Sequence, residues 1–207
     1  CDYSDACVFS FHPLKSITTA EGGAVLFPNK VDKSKADSLM SHGIVKRPDL
    51  QPWYYEQSLL GFNYRLSDMQ AALGLSQLSR LDEFMARRQE IDALYRDKLS
   101  SLNLNLLKCE RDCISACHLF PVLLPNSEMR MELYVNLKEV GIQSQVHYIP
   151  IYKQPYYKEI GYQDLRHTEE FYSRILSIPI YPDLTDGQTK FVIEKVIQFV
   201  GEYDVAV

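Results

Sequence analysis

The sequence predicts an α/β protein, and three features of its 207 residues carry that prediction. Residues 6–11 and 24–27 are short apolar runs of strand type on either side of a polar turn. Residues 67–99 place apolar side chains at helical three-to-four spacing. Residues 118–148 read as strand, helix and strand, the pattern of a small α+β layer.

Taken in order, Ala6 to Phe11 reads as a buried strand. A polar turn with one lysine, Lys15, follows, and Glu21-Gly22-Gly23 breaks the chain before Ala24 to Phe27 resumes as strand, closing at Pro28-Asn29. Val31 to His42 reads as helix, with Ala36, Leu39 and Met40 on one face and Gly43 as its stop. Residues 44–62 read as a loop with Pro48, Pro52 and the cluster Trp53-Tyr54-Tyr55. Ser67 is a good helix N-cap, and Gln70 three residues on completes a capping box. The helix it opens is expected to run to about Leu99 through Leu81, Phe84, Met85, Ile91, Leu94 and Tyr95. Arg80, Glu83, Arg87, Arg88 and Glu90 then form its solvated face.

Residues 100–117 are irregular and polar, a connection between a domain at 1–99 and a smaller one at 100–207. His118 to Leu124 is a strand, Asn126 or Ser127 caps a helix to about Val140, and Gly141 ends it. Ile142 to Tyr148 is a second strand, whose alternation puts Gln145 and His147 on one face and Val146 and Tyr148 on the other. Tyr156, Tyr157 and Tyr162 fall in a loop, Thr168 to Leu176 in a short helix and Ile178 to Tyr181 in a last strand around Pro179. A final helix starts from Thr185 or Asp186 and runs to about Tyr203.

The composition excludes several classes. A hydrophobic share of 46% supports a packed core. The net charge of −5 with no basic stripe argues against a nucleic-acid partner. No apolar run reaches the roughly 20 residues of a membrane helix, and the N-terminus lacks a secretory leader, so a cytoplasmic protein is expected. The 5 cysteines are an odd number. Cys109, Cys113 and Cys117 recur every four residues, and His118 would be their only nearby fourth zinc ligand. Reduced thiols and no metal are the preferred reading. No repeat, P-loop or dinucleotide fingerprint is present.

Two places invite chemistry. A lysine between two apolar strands snorkels with difficulty unless it faces a cleft, and a lysine taken out of water favours its neutral amine, a nucleophile for carbonyl groups. From periodicity alone a solvated lysine on a surface hairpin is the favoured reading, because lysines are common. Asn63 and Arg65 stand just ahead of a helix N-terminus, a setting that suits an anion. Asn63 alternatively satisfies its own loop backbone.

The string Ser10-Phe11-His12, Lys15, Ile17-Thr18-Thr19, Glu21-Gly22-Gly23 resembles the cofactor-lysine segment of the DegT family of nucleotide-sugar aminotransferases, fold-type-I enzymes dependent on pyridoxal 5′-phosphate. The resemblance implies that Lys15 bears the cofactor and that Ser10 lies beside the cofactor phosphate and the substrate. Gly61 to Gly74 resembles a loop that crosses a two-fold interface, which gives Asn63 the cofactor phosphate of the neighbouring subunit and implies a homodimer with composite sites. Asn63 and Arg65, as the anion-contact pair ahead of the helix, both join the substrate-binding candidates. Gln145-Val146-His147-Tyr148, with Pro150-Ile151-Tyr152, resembles the segment that contacts the sugar nucleotide. Gln145, His147 and Tyr148 become substrate-binding candidates, with His118 in a matching histidine position; a core histidine is the alternative for His147. Trp53-Tyr54-Tyr55 becomes either a flap over the sugar nucleotide or a cluster packed on its own domain.

The implied reaction moves an amino group from an amino acid, glutamate by analogy, to a UDP-linked 4-keto-6-deoxy sugar for surface-glycan synthesis, with Lys15 shuttling the proton. The resemblance covers nearly all of this chain but only the C-terminal half of such an enzyme. The phosphate-binding turn, the ring over the cofactor and the aspartate at its pyridine nitrogen belong to the other half. The chain alone is therefore expected not to hold the cofactor productively. Three alternatives remain: a sugar dehydratase, which carries histidine where Lys15 stands; a non-catalytic half that only folds or dimerises; and a regulatory protein with a degenerate site.

Overall fold

The computed structural model describes residues 3–28, 30–109, 112–159, 161 and 165–206. Asn29 and Tyr162, named above, lie outside the described residues. The chain divides into two compact units, residues 1–81 and 82–207.

In the first unit β1 (Cys7–Ser10) pairs antiparallel with β2 (Gly23–Leu26), from Cys7↔Leu26 to Ser10↔Gly23. The strands are where the apolar runs put them, but they are not buried: Val8 is 78% exposed and Phe9 49%. Among the described residues this ribbon is a two-stranded sheet with no third strand or covering layer to bury it. α1 (Lys30–Met40) stops two residues before the expected end. His42 and Gly43, with φ of 62° and 72°, turn the chain. Gly43 is required for space as well as for φ, since a Cβ there would lie 1.8 Å from the Leu59 carbonyl oxygen.

The expected loop 44–62 contains a hairpin, β3 (Ile44–Lys46) with β4 (Tyr55–Gln57). Its β-branched and aromatic ends pair once Arg47 accepts the turn, through its N–H to the Tyr54 carbonyl and its guanidinium to Asp49 and Glu56. α2 (Asp68–Leu78) begins at the capping box: Gln70 N–H donates to Ser67 Oγ at 3.3 Å, and Ser67 N–H donates to Gln70 Oε1 at 3.1 Å.

The single helix expected to run to Leu99 is two. Ser79 closes α2, its N–H bonded to the Leu75 carbonyl and its hydroxyl to that of Ser76, a local competition that ends helices. α3 (Leu81–Leu99) follows. Its core residues pack with the second unit, so the compact boundary falls after Leu81 and not after residue 99.

The second unit carries β5 (Asn105–Leu106), β6 (Phe120–Leu123) and β7 (Ile175–Ile178) in spatial order β5-β6-β7, all antiparallel. Between them run α4 (Ser127–Glu139), a 3₁₀ turn (Ile151–Lys153), α5 (Pro155–Lys158) and α6 (Arg166–Arg174), and α7 (Asp186–Ala206) closes the chain. α4 is capped by Asn126, whose Oδ1 accepts the Met129 N–H at 2.8 Å. It ends in a Schellman turn: Ile142 N–H donates to the Leu137 carbonyl and Gly141 N–H to that of Lys138, with Gly141 at φ 81°. Thr185, not Asp186, caps α7, exchanging bonds with Gln188.

Ile91, Tyr95 and Leu99 of α3, Met129, Leu133 and Leu137 of α4, and Val192, Val196 and Val200 of α7 meet Phe120, Val122, Leu176 and Ile178 in one core. The four-residue spacing on each helix is what puts those side chains on one stripe. The last strand is Ile175–Ile178 and not 178–181, because Pro179 cannot donate to a ladder. The strand expected at 142–148 reduces to one bridge, Gln145↔Ser177; the chain leaves the sheet there toward Pro150, and the His147–Tyr148 peptide is cis. Among the described residues no helix is long and apolar enough to cross a membrane, and no cluster of metal-binding side chains occurs.

Candidate active-site segments

The residues singled out from the sequence form two groups, one in each unit. In the first unit Lys15 sits half-buried in the turn that follows β1. Lys15 N–H donates to the His12 carbonyl at 2.9 Å, which sets the turn. Thr18 holds its far side: its hydroxyl donates to the Phe11 carbonyl at 3.0 Å and accepts the Ala20 N–H at 3.0 Å. Ser10, exposed at the end of β1, accepts a long bond of 3.4 Å from the His12 N–H.

Thr19 is buried, and its hydroxyl donates to the Glu21 carbonyl at 2.8 Å. The same carbonyl accepts the side-chain amide of Gln70 at 2.8 Å. Gln70 therefore caps α2 with its oxygen and fastens the lysine turn with its nitrogen. A Cβ at Gly74 would approach Thr19 Cγ2 to 2.8 Å, so α2 packs directly on the turn.

Asn63 and Arg65 lie together, with Arg65 Nε donating to Asn63 Oδ1 at 3.0 Å. Both are exposed. Arg65, Tyr64 and Gln70 line an open cleft of about 370 Å³ against Glu21, Gly22 and Gly23. The structure thus brings Arg65 to the glycine pair of the lysine segment. Lys15, Ser10 and Asn63 are not among the residues that line this cleft. The aromatic cluster of the β3–β4 hairpin is exposed, Trp53 to 74%, so it does not bury its rings on its own unit.

In the second unit the organising residue is Ser177 of β7. Its backbone exchanges both hydrogen bonds with Gln145, at 3.0 and 2.8 Å, and its hydroxyl shares a bond of 2.9 Å with His147 Nδ1. Gln145 is exposed and His147 half-buried; Val146 packs against the core. Tyr148 does not share the core-facing side with Val146. It is 68% exposed and lays its ring edgewise to His147 at 4.6 Å. His118 lies just before β6 with its Nδ1 buried.

Three residues escaped the sequence reading. Gln70 was legible only as a cap. Ser177 is a lone hydroxyl in an apolar strand. Arg88, expected on the solvated face of the helix, is instead 4% exposed. It falls on the stripe Phe84, Arg88, Ile91, Tyr95, and that spacing is the signal that places it inward. Burial lowers its pKa from the usual arginine value.

The DegT/DnrJ/EryC1/StrS aminotransferase family profile matches residues 1–197. The chain belongs to this family. Among its relatives, the UDP-4-amino-4,6-dideoxy-N-acetyl-beta-L-altrosamine transaminase of Campylobacter jejuni is 42% identical over 194 residues, 91% of this chain and 50% of that protein. The Helicobacter pylori transaminase of the same name is 32% identical, over 93% of this chain and 52% of that protein. Among solved structures, Helicobacter pylori PseC, an aminotransferase involved in the biosynthesis of pseudoaminic acid, superposes with a TM-score of 0.90 at 31% identity, covering 97% of this chain and 54% of that one. A putative sugar aminotransferase of Streptococcus pneumoniae in its PMP form also gives 0.90, at 25% identity, over 96% of this chain and 54% of that one. The chain spans about half the length of the curated relatives it matches. The matched span of this DegT-family chain takes in the Lys15 turn, the Asn63 loop and the Gln145–Tyr148 segment.

Proposed function

We propose that this chain supplies the lysine-bearing part of a pyridoxal-phosphate-dependent aminotransferase that moves an amino group from an amino acid, glutamate, to a UDP-linked 4-keto-6-deoxy sugar. The observation that carries the reading is the Lys15 turn, fastened at both ends by Thr18, Thr19 and Gln70 within a family-matched span. The relatives' names support the substrate class: one is a UDP-sugar transaminase, and a structural neighbour is solved in PMP form.

The donor set fits the cofactor: one half-buried primary amine suits an aldehyde, and a hydroxyl, an amide and a guanidinium suit a phosphate dianion. Lys15 would hold the cofactor, with Ser10 of the same chain and Asn63 of a second copy at its phosphate, in a cytoplasmic homodimer with composite sites. When bound, the cofactor supplies the electron sink for breaking a C–H bond next to nitrogen. Lys15 Nζ then takes and returns the proton. Arg65 adds positive charge beside the Gly22-Gly23 backbone, and Gln145, His147, Tyr148 and His118 orient the sugar nucleotide. The dehydratase alternative is disfavoured because position 15 is lysine.

The test is a difference spectrum. Pyridoxal phosphate added to the wild-type chain is expected to shift its absorption, reversibly and with loss of the cofactor on gel filtration, and Lys15→Ala is expected to abolish the shift. An equal shift in Lys15→Ala contradicts the assignment.

A further inference from the structure

The β6–β7 ladder stops at Phe120↔Ile178. Continuing its register would set Leu119 opposite Pro179 and His118 opposite Ile180. Pro179 has no N–H, so the ladder cannot continue, and carbonyl groups are left without strand partners. Two side chains of α3 meet them instead. Tyr95 Oη donates to the Pro179 carbonyl at 2.8 Å. Arg88 Nη1, two helical turns earlier, donates to the carbonyls of Ile180 at 2.8 Å, Cys117 at 3.2 Å and His118 at 3.3 Å.

Arg88 is an unusual way to fill that place. It is buried, its hydrogen bonds go to backbone carbonyls and none to a carboxylate, and its Nε has no partner among the described residues. A buried cation without an acid is costly, so a neutral donor would serve better if strand closure were the whole task. The segment it grips is also constrained. Cys117, buried and not glycine, sits at φ 46°, and its N–H donates to Ser115 Oγ at 3.1 Å. Such a conformation persists only where its surroundings fix it, and here it sets the direction in which the next residue, His118, leaves the backbone.

We propose that Arg88 is a positioning residue: by clamping the carbonyls of Cys117, His118 and Ile180 it fixes the direction in which His118 meets a nucleotide-sugar substrate. The substrate half of this statement rests on the function proposed above; the clamp does not.

Two variants separate the possibilities. Arg88→Lys keeps a cation but replaces the planar fork with a compact ammonium, and Arg88→Met keeps length without donors. In the full chain with histidine-selective labelling, both are expected to shift and broaden the His118 ring resonances while those of His12 and His42 stay in place. In titrations with UDP, Arg88→Met is expected to weaken binding about tenfold. The double variant Arg88→Met, His118→Ala is expected to bind no more weakly than His118→Ala alone, since the two act as one unit. Unmoved His118 resonances in both variants overturn the proposal, as do additive losses in the cycle or unfolding of both variants. If Arg88→Met alone fails to fold, Arg88→Lys decides. Absence of UDP binding by the wild-type chain would count against the substrate reading only, and the resonances would still decide the clamp.

Discussion

Replacing Ser177 with alanine separates the two roles this residue has in the structure. Its N–H and carbonyl pair with Gln145, and its hydroxyl pairs with His147 Nδ1 at 2.9 Å. Alanine keeps the backbone pair and removes only the hydroxyl. A net hydrogen bond contributes about 0.5–1.5 kcal/mol, and stranding its buried partner adds a cost of about 1–3 kcal/mol. Ser177 is 4% exposed but His147 is half-buried, so water reaches part of the ring and the sum settles at about 1–2 kcal/mol. For a unit of this size the melting temperature is expected to fall by about 3–8 °C. Circular-dichroism melts measure that fall. Histidine ring resonances report release of His147, and amide exchange at Gln145 reports the retained bridge. An unchanged His147 resonance, or loss of Gln145 protection in the alanine variant, would refute the division of labour.

Other substitutions test neighbouring links. Gln70→Ala is expected to cost about 1–2 kcal/mol, since it removes half of a capping box and the bond to Glu21; urea unfolding and amide exchange at residues 20–23 check it. Gly43→Ala is expected to cost well over 1 kcal/mol and to lower the yield of folded chain, because the new methyl meets the Leu59 carbonyl at a positive φ. Cys109 and Cys113 are exposed, whereas Cys117 is buried and its thiol pKa is raised by that burial; iodoacetamide is expected to alkylate the first two well before the third, read by peptide mass. The Glu169 carboxyl is held below its usual value by Lys153 and then Tyr152. Its contribution to stability is complete above about pH 4.5 and is lost as the pH falls through the lowered value, so Glu169→Gln is expected to flatten the acid limb of a stability profile.

Local rules were readable wherever a side chain answers to its own backbone. Ser67 with Gln70, Asn126, and Gly141 are caps whose partners lie within a few residues, and all three act as their spacing implies. Lys15 was legible as a turn residue between two strands. What the sequence hides is the reach of the same side chains across the fold. Gln70 also bonds Glu21, which is 49 residues away. Ser177 holds His147 across 30 residues, and nothing in an apolar strand announces that. Arg88 looked like one of several surface charges because charge outweighed its place on the apolar stripe. Burial of β1 failed for a different reason: an apolar strand implies a covering layer, and among the described residues the ribbon has none.

The central claim is that Lys15 is the amine that carries the cofactor, and peptide mass mapping after borohydride reduction tests it most directly. With one equivalent of pyridoxal phosphate and then borohydride, the pyridoxyl mass is expected on the peptide containing Lys15 ahead of every other lysine. Label spread over surface lysines, with Lys15 unmodified, would contradict the account.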